Sequence, residues 1–249
     1  MKGVLIFNAD DYGLSSGVSK GIFQAARGVV RSTSVMANMA SAHDLVMLRD
    51  GLLSAGVHLN LSCGNPLTPE YPPKLLDGGN FNKSLALQPR TWQDVENQQA
   101  ALAEWRAQLV ACQQAGLRLT HIDSHHNTHL LDPLFDLALH LALDQDLALR
   151  TQGILRERAH QAGVRTPDVF IDGFYGDNNI DRANLLALLK AAPGGVVEVM
   201  CHPGQADESL STRTSYCLER ERELEVLGDE GLAAVLEDAG WKLGGYDLV

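Results

Sequence analysis

A dense cluster of histidines is the clearest chemical feature of this sequence. Four of the nine histidines lie within nine residues, in the segment His121-Ile122-Asp123-Ser124-His125-His126-Asn127-Thr128-His129. Neutral imidazole is a common metal ligand, and it is costly to bury without a polar partner. The cluster therefore indicates metal binding, proton transfer or both. A solvated, histidine-rich loop is the alternative.

A pair of adjacent carboxylates forms a second cluster near the N-terminus. Asp10 and Asp11 follow the apolar run Gly3-Val4-Leu5-Ile6-Phe7, which is typical of a buried strand in a parallel sheet. Two neighbouring carboxylates repel each other unless a cation binds one of them or the pKa of one rises. Neighbouring strand residues point in different directions, so one aspartate could bind a metal while the other faces substrate. The alternative is a turn that caps a helix starting near Ser15 or Ser16.

The remaining polar candidates also lie in or just after predicted strands. His58 lies in the apolar segment Val57-His58-Leu59, and His202 ends the strand that precedes Pro203-Gly204. The carboxyl ends of strands in a barrel share one rim, where residues distant in sequence meet. The full set of candidates is Asp10, Asp11, His58, Asp123, His125, His129, Arg150, Tyr175 and His202.

Strand-like and helix-like patterns alternate along the chain. Strands are predicted near 3–8, 29–38, 56–61, 117–123, 147–150, 168–172, 195–201 and 241–246. Helices are predicted near 15–28, 42–50 and 91–115, with another that Asp132 caps ahead of Pro133. Residues 62–90 are rich in proline and glycine and are predicted to form a long loop. This order predicts a single α/β domain over residues 1–249, built as a TIM-barrel-like (β/α) barrel, with a doubly wound open sheet as the alternative.

Composition limits the classes of partner. The formal net charge is −11 with no basic block, which argues against nucleic acid or an anionic membrane surface as a partner. No apolar run approaches the roughly 20 residues that span a bilayer, and no signal peptide is recognisable. The four cysteines form no Cys-x-x-Cys pair, so we expect reduced thiols in a cytoplasmic protein. A nucleophilic Cys201-His202 pair is disfavoured because adjacent strand residues face opposite ways.

The residue types suit metal-assisted hydrolysis. One carboxylate and two imidazoles with an open coordination position form a standard site for a hydrolytic divalent metal. A free carboxylate could take the proton from a bound water, and an imidazole could protonate the leaving group. Such a site cleaves an amide or an ester without a covalent intermediate, and the sequence contains no Gly-x-Ser-x-Gly motif.

Four segments together resemble the YdjC-like carbohydrate deacetylase family. They are Asn8-Ala9-Asp10-Asp11-Tyr12-Gly13, Gly56-Val57-His58-Leu59, Thr120-His121-Ile122-Asp123-Ser124-His125-His126 and Val199-Met200-Cys201-His202-Pro203. The likeness continues through Ser215-Tyr216-Cys217 and Arg222-Glu223-Leu224-Glu225-Val226-Leu227 to Gly240-Trp241-Lys242-Leu243-Gly244. The resemblance covers essentially the whole chain.

The resemblance implies a deformed (β/α) barrel that binds a divalent ion. Magnesium is the first choice, and zinc, manganese or cobalt are alternatives. By motif position, Asp11, His58 and His125 would be the metal ligands and Asp10 the general base. His202 would act as the acid or stabilise the transition state.

Other implied properties concern the substrate and the assembly. The substrate would be a small chitooligosaccharide, diacetylchitobiose or chitotriose, as a 6-phosphate, which loses acetate during chitin catabolism. A homodimer is implied as well. Asp123 and His129 would orient the metal ligands, and Arg150 and Tyr175 would serve as substrate-binding or supporting residues.

One departure from the family pattern leaves alternatives open. The family reads Asp-Ser-His-x-His-x-His, whereas this chain has Asn127 at the middle histidine, which removes a titratable nitrogen. A deacetylase of another acylated sugar and a non-catalytic sugar-phosphate binder that acts as a regulator therefore stay open. A glycoside hydrolase that uses Asp10 and Asp123 as its carboxylate pair is a further alternative.

Overall fold

The computed structural model describes residues 2–249 as strands and helices in regular alternation. The strands are β1 (Gly3–Tyr12), β2 (Ser32–Val35), β3 (Ser54–Leu59), β4 (Leu76–Asp77), β5 (Asn80–Phe81), β6 (Leu119–Ser124), β7 (Ala148–Leu149), β8 (Val169–Ile171), β9 (Gly195–Cys201) and β10 (Trp241–Gly244). The helices are α1 (Ser16–Ala25), α2 (Ala42–Arg49), α3 (Lys83–Ala86), α4 (Val95–Gln114), α5 (Leu134–Gln145), α6 (Ile154–Gln161), α7 (Arg182–Ala191), α8 (Glu208–Ser211), α9 (Leu218–Leu227) and α10 (Glu230–Asp238). Short 3-10 segments cover Pro73–Leu75, Pro89–Gln93, His125–Leu130 and Tyr246–Leu248.

Eight of the strands form one parallel sheet that curls into a deformed (β/α) barrel. The order is β7-β6-β3-β2-β1-β9-β8, and β10 pairs with the first half of β1. Every pairing in this sheet is parallel. Within residues 2–249, β7 and β8 do not pair with each other, so the barrel is open between them. The predicted barrel architecture is confirmed, and the carboxyl ends of these eight parallel strands lie on one rim.

The first strand is longer than predicted and contains a bulge at the two aspartates. It runs to Tyr12, and its register with β2 shifts between Ala9 and Tyr12. Asp11 lies in this shift with φ 69°, in the left-handed region that few non-glycine residues adopt. Bulges redirect side chains and are frequent beside functional sites. The adjacent Asp10 and Asp11 consequently line the same cavity.

Alternation along β1 separates two buried layers. Leu5, Phe7 and Ala9 belong to the main apolar core, whereas Ile6 packs with Ala148 and Tyr246 in a small second cluster. Because Ile6 pairs with Glu198 in β9, that carboxylate shares the side of the sheet that Ile6 occupies. The second layer is the barrel interior, and it carries the polar residues of the site.

Several local predictions need correction. Residues 62–90 are not a plain loop, because they contain the β4–β5 hairpin and α3, whose N-cap Asn82 accepts a hydrogen bond from Leu85 N. Asp132 does not cap α5, because Pro133 occupies the N-cap position and no side chain caps the helix. In contrast, Ser15 caps α1 through Val18 N, so the aspartate pair is not a helix cap.

No helix within residues 2–249 is long and apolar enough to cross a membrane.

Candidate functional site

A cavity of about 440 Å³ opens where the strand ends meet. Its volume lies within the range of small-molecule sites. It is lined by Asp10, Asp11, His58, Leu87, Ser124, His125, His126, Asn127, Asp172, Tyr175, Met200, His202, Thr214, Tyr216 and Arg220. These residues come from strand ends, from the segments that follow them and from α9, and they are distant in sequence, as expected at the shared rim of a barrel.

Asp11, His58 and His125 converge on one wall of this cavity. One ligand atom from each of them lies within 4.8 Å of the others. His125 Nδ1 is 2.7 Å from Asp11 Oδ1, and His58 Nε2 is 3.2 Å from the same oxygen. A carboxylate oxygen and two imidazole nitrogens at this spacing form a donor set that fits a divalent metal ion.

Asp123 orients His58 from behind. Its Oδ1 is 2.7 Å from His58 Nδ1, which leaves Nε2 directed at Asp11. A carboxylate on the second nitrogen of a ligand histidine is typical of metal sites. Burial opposes the charged imidazolium, but the Asp123 charge and the hydrogen bonds to Asp11 and Asp123 outweigh it and raise the pKa of His58 to about 10. Without a metal, His58 is therefore protonated at neutral pH.

Asp10 is held from inside the barrel by Arg150. Arg150 Nη1 and Nη2 donate to the two carboxylate oxygens of Asp10 at 2.7 Å each, and Asn8 Nδ2 donates to Asp10 Oδ1 at 2.8 Å. Such a bidentate pair fixes the plane of the carboxylate. Arg150 is fully buried and does not line the cavity, so it supports Asp10 and does not reach a ligand.

His202 lies on the cavity wall near two tyrosines. Burial lowers the pKa of His202 to about 4, so the imidazole is neutral at neutral pH. Glu223 accepts hydrogen bonds from His202 N and from the Tyr216 hydroxyl. The Tyr175 and Tyr216 rings stack with centroids 4.4 Å apart, and His202 lies edge-on to Tyr175 at 5.3 Å. Tyr175 is 44% exposed and presents an aromatic surface to the cavity.

His129 supports the site without lining the cavity. Its Nδ1 is 2.6 Å from Ser124 Oγ, and its Nε2 is 3.0 Å from the Arg150 carbonyl oxygen. It therefore ties the end of β6 to the backbone of Arg150, and among the described residues it makes no hydrogen bond to His125. Because His121 and His129 are fully buried, the histidine cluster is not a solvated loop.

Cys201 is not a nucleophile for this cavity. It is fully buried, its Sγ donates to the Asn8 carbonyl oxygen at 3.3 Å, and burial raises the pKa of the thiol well above its usual value. A nucleophilic cysteine needs a lowered pKa and access to substrate. All four cysteines are free thiols.

Arg220 is a site residue that sequence reasoning missed. Its Nη2 donates to Asp11 Oδ2 at 2.6 Å, on the oxygen that His58 and His125 leave free. Burial opposes ionisation of Asp11, but the charges of His125 and Arg220 hold its pKa well below the usual value. Arg220 belongs to the segment Leu218-Glu219-Arg220-Glu221-Arg222-Glu223, whose alternating charges are typical of a solvated helix face. Only the docking of α9 reveals its role.

The backbone conformation at residue 127 suits asparagine. His126 and Asn127 both adopt left-handed backbone conformations, with φ 56° and 52°. Asparagine is among the few side chains that tolerate this region. Asn127 lines the cavity, and its Oδ1 is buried without a hydrogen-bond partner among residues 2–249.

Comparison with known proteins gives a consistent set of relatives. A carbohydrate deacetylase of Thermoanaerobacter pseudethanolicus is 32% identical over 98% of this chain and 98% of its own length. A chitooligosaccharide deacetylase of Yersinia enterocolitica is 36% identical over 99% of both chains. The crystal structure of a protein described as a putative cellobiose-phosphate cleavage protein, from Enterococcus faecalis, superposes with a TM-score of 0.88 at 34% identity, covering 99% of this chain and 98% of that one.

A family model described as YdjC-like protein matches residues 4–238. This match spans nearly all of the chain and includes every residue of the cavity described above. The chain therefore belongs to the YdjC-like protein family.

Proposed function

We propose that this protein is a metal-dependent carbohydrate deacetylase, with residues 1–249 as one catalytic domain. It would hydrolyse the N-acetyl group of N-acetylglucosamine units in short chitooligosaccharides and release acetate. The observation that carries the proposal is the placement of Asp10 beside the Asp11, His58 and His125 donor set on one cavity wall. The names of the relatives, carbohydrate deacetylase and chitooligosaccharide deacetylase, support the substrate class.

Asp11, His58 and His125 would hold the divalent ion. Magnesium is our first choice, with zinc, manganese and cobalt as alternatives, since affinity order alone does not select the metal. When bound, the ion polarises the acetyl carbonyl and lowers the pKa of a water in its shell. Support comes from Asp123, which occupies His58 Nδ1 and leaves Nε2 as the donor that faces Asp11.

Asp10 is the proposed general base. Arg150 and Asn8 hold its carboxylate in one orientation, and it lines the cavity beside Asp11. A base so held can accept the proton of the attacking water without first reorganising.

His202 is assigned to transition-state stabilisation. Because the imidazole is neutral at neutral pH, it can donate a hydrogen bond from one nitrogen to the oxygen on which charge develops. The proton that Asp10 takes from the water would then pass through His202 to the leaving amine, which restores Asp10 as a base. Its position between the aspartate pair and the tyrosine stack supports this role.

The tyrosine stack and a nearby lysine would bind the sugar. Tyr175 offers an exposed ring face, which suits the apolar face of a pyranose. Lys83 makes no ion pair within residues 2–249. Burial and the charge of His125 lower the pKa of His126 most, and the charge of Lys83 lowers it further, which places Lys83 near this side of the cavity. A 6-phosphate on the sugar would meet this positive potential. The phosphorylated disaccharide in the description of the Enterococcus faecalis relative supports the same substrate class.

Two other activities fit the site less well. A glycoside hydrolase needs two accessible carboxylates, but Asp123 is fully buried, does not line the cavity and is bound by His58 and Arg150. A non-catalytic sugar-phosphate binder would need no oriented base, whereas side-chain hydrogen bonds from Arg150 and Asn8 orient Asp10. A deacetylase that prefers another acylated sugar is the second candidate, favoured by Asn127, which lines the cavity where the family pattern has a histidine.

The state of the thiols and the net charge bear on the cellular setting of the protein. We propose a cytoplasmic homodimer that acts in chitin catabolism, without nucleic acid or membrane as a partner. The free thiols and the net charge of −11 support a reducing compartment and a small-molecule substrate.

Product analysis tests the proposed reaction. Purified protein is incubated with diacetylchitobiose and with its 6-phosphate, and acetate and sugar products are quantified together. One acetate per deacetylated sugar of unchanged length is expected, with none from the His125→Ala variant. Shorter sugars without acetate would establish a glycosidase instead, and bound sugar without any product would establish a binding protein.

A further inference from the structure

A column of buried polar side chains runs through the barrel interior beneath the cavity. It begins at Asp10 on the cavity wall, continues through Arg150 and Glu198, and ends at Tyr246 below. Each contact in the column is a direct hydrogen bond between side chains. Apart from Asp10, none of these residues lines the cavity.

Arg150 is the central member of the column. Its Nε donates to Glu198 Oε1 at 2.9 Å, and Nη2 donates to the same oxygen at 2.7 Å. The other edge of the guanidinium meets both oxygens of Asp10 at 2.7 Å, and Nη2 also lies 3.0 Å from Asp123 Oδ2. Glu198 therefore fixes the Nε edge of the planar guanidinium, and the opposite edge donates hydrogen bonds to Asp10.

Tyr246 closes the column from the other end of the barrel. Its hydroxyl donates to Glu198 Oε2 at 2.5 Å. The ring is fully buried and stacks on His121 with centroids 3.8 Å apart and planes 10° apart. Gly56 leaves room for this stack, since a Cβ at that position would lie 2.3 Å from the His121 ring. Tyr246 is therefore a fixed donor beneath Glu198.

The tyrosine also favours the charged form of Glu198. Burial raises the pKa of Glu198, whereas Arg150 and the Tyr246 hydroxyl act in the opposite direction. A charged Glu198 accepts stronger hydrogen bonds from the guanidinium than a neutral one. Loss of the hydroxyl would leave a buried carboxylate oxygen without a partner.

We propose that Glu198 and Tyr246 are positioning residues for Asp10, acting through Arg150 from the interior of the barrel. The proposal rests on the proposed deacetylase function, in which Asp10 is the base. With both residues present, the guanidinium has one orientation and the carboxylate of Asp10 has one plane. With either polar group removed, Arg150 can turn towards Asp123, and Asp10 loses its bidentate partner.

Steady-state kinetics of two conservative variants test the proposal. Misplacement of a reacting group by about 1 Å can cost about 100-fold in rate. We expect kcat to fall by about 100-fold in Glu198→Gln and by about tenfold in Tyr246→Phe, in line with that scale. KM and the affinity for the divalent ion should stay near their wild-type values, because neither residue contacts the cavity. Tyr71→Phe is the control, since Tyr71 is a buried tyrosine away from the cavity.

A second measurement reports the position of Arg150 without using activity. In a nitrogen-15 spectrum, the Arg150 Nε–H resonance should shift and exchange faster with solvent in both variants. Wild-type kcat in both folded variants, or a kcat loss matched by equal loss of metal affinity, would overturn the proposal. If Glu198→Gln does not fold, Tyr246→Phe still decides. If wild type releases no acetate, the proposed function fails. An Arg150 resonance that is unchanged in both variants would separately refute the positioning role of Glu198 and Tyr246.

Discussion

Replacement of Asp123 by asparagine isolates the link between His58 and the metal. The Asp123 carboxylate faces four donors: His58 Nδ1 at 2.7 Å, Ser34 Oγ at 2.8 Å, Arg150 Nη2 at 3.0 Å and Asn8 Nδ2 at 3.2 Å. Asparagine offers one acceptor oxygen and one donor amide in the same space. The amide nitrogen of the asparagine must therefore face a group that is itself a hydrogen-bond donor.

The two orientations of the asparagine differ in cost. If its amide nitrogen faces Arg150, a donor meets a buried cation, which is the costlier arrangement. If the amide nitrogen faces His58 Nδ1 instead, the imidazole must accept there and carry its proton on Nε2, the nitrogen that faces Asp11. The Asp123→Asn variant therefore removes the lone pair that the metal needs.

We expect the affinity for the divalent ion to fall by about 10- to 100-fold in Asp123→Asn, the usual effect of removing such a partner. This corresponds to about 1.4–2.7 kcal/mol of binding free energy. Titration calorimetry on metal-stripped protein measures it directly. Asp181→Asn is the matched control, because Asp181 caps α7 and asparagine caps a helix equally well. A folded Asp123→Asn protein that binds metal within twofold of wild type would refute this reasoning.

Three further predictions concern His58, Glu223 and Tyr175. Because the pKa of His58 is about 10 without metal, binding at pH 7.5 should release about one proton, seen as buffer-dependent calorimetric enthalpy; no buffer dependence would contradict it. Burial raises the pKa of Glu223 to about 8, so its contribution to stability is complete below the usual carboxyl pKa and is lost as pH rises through 8. In urea unfolding, the free energy of unfolding of Glu223→Gln should therefore rise by a few kcal/mol relative to that of wild type between pH 5 and pH 8. A difference between the two proteins that does not change with pH would contradict this expectation. Tyr175→Ala should raise KM about tenfold with little change in kcat, while Tyr175→Phe retains wild-type KM; an unchanged KM would remove Tyr175 from the sugar site.

The sequence predicts elements well where one local pattern dominates. The strand at 195–201 is predicted with the bounds that the structure has, because a β-branched run is delimited by glycines before it and by His202-Pro203 after it. The strand at 3–8 is predicted too short, since its polar residues read as a loop. Their pairing with neighbouring strands, which includes the bulge at Asp11, keeps them in the sheet.

Convergence of the cavity residues is also readable from the sequence. Asp10, Asp11, His58, His125 and His202 each lie in or just after a strand-like run, and the barrel brings all of them to one cavity. This step needs only the parallel order of strands, which the alternation of patterns supplies.

Supporting residues are harder to predict, because their roles depend on packing. Arg220 lies among alternating charges that read as a solvated helix, yet docking of α9 buries it against Asp11. A buried partner for Glu198 can be predicted from the sequence, because a lone carboxylate within the apolar strand Val196-Val197-Glu198-Val199 needs a buried cation. Its partner, Arg150, could not be assigned without knowing which strands face each other.

Metal dependence of acetate release tests directly whether Asp11, His58 and His125 hold a catalytic metal. Protein stripped with a chelator is assayed with diacetylchitobiose before and after addition of magnesium, zinc, manganese or cobalt, beside a His58→Ala, His125→Ala double variant. We expect no acetate from stripped protein, recovery of acetate release with at least one ion, and no recovery in the double variant. Full acetate release from stripped protein, or recovery in the double variant, would contradict the claim that Asp11, His58 and His125 hold a catalytic metal.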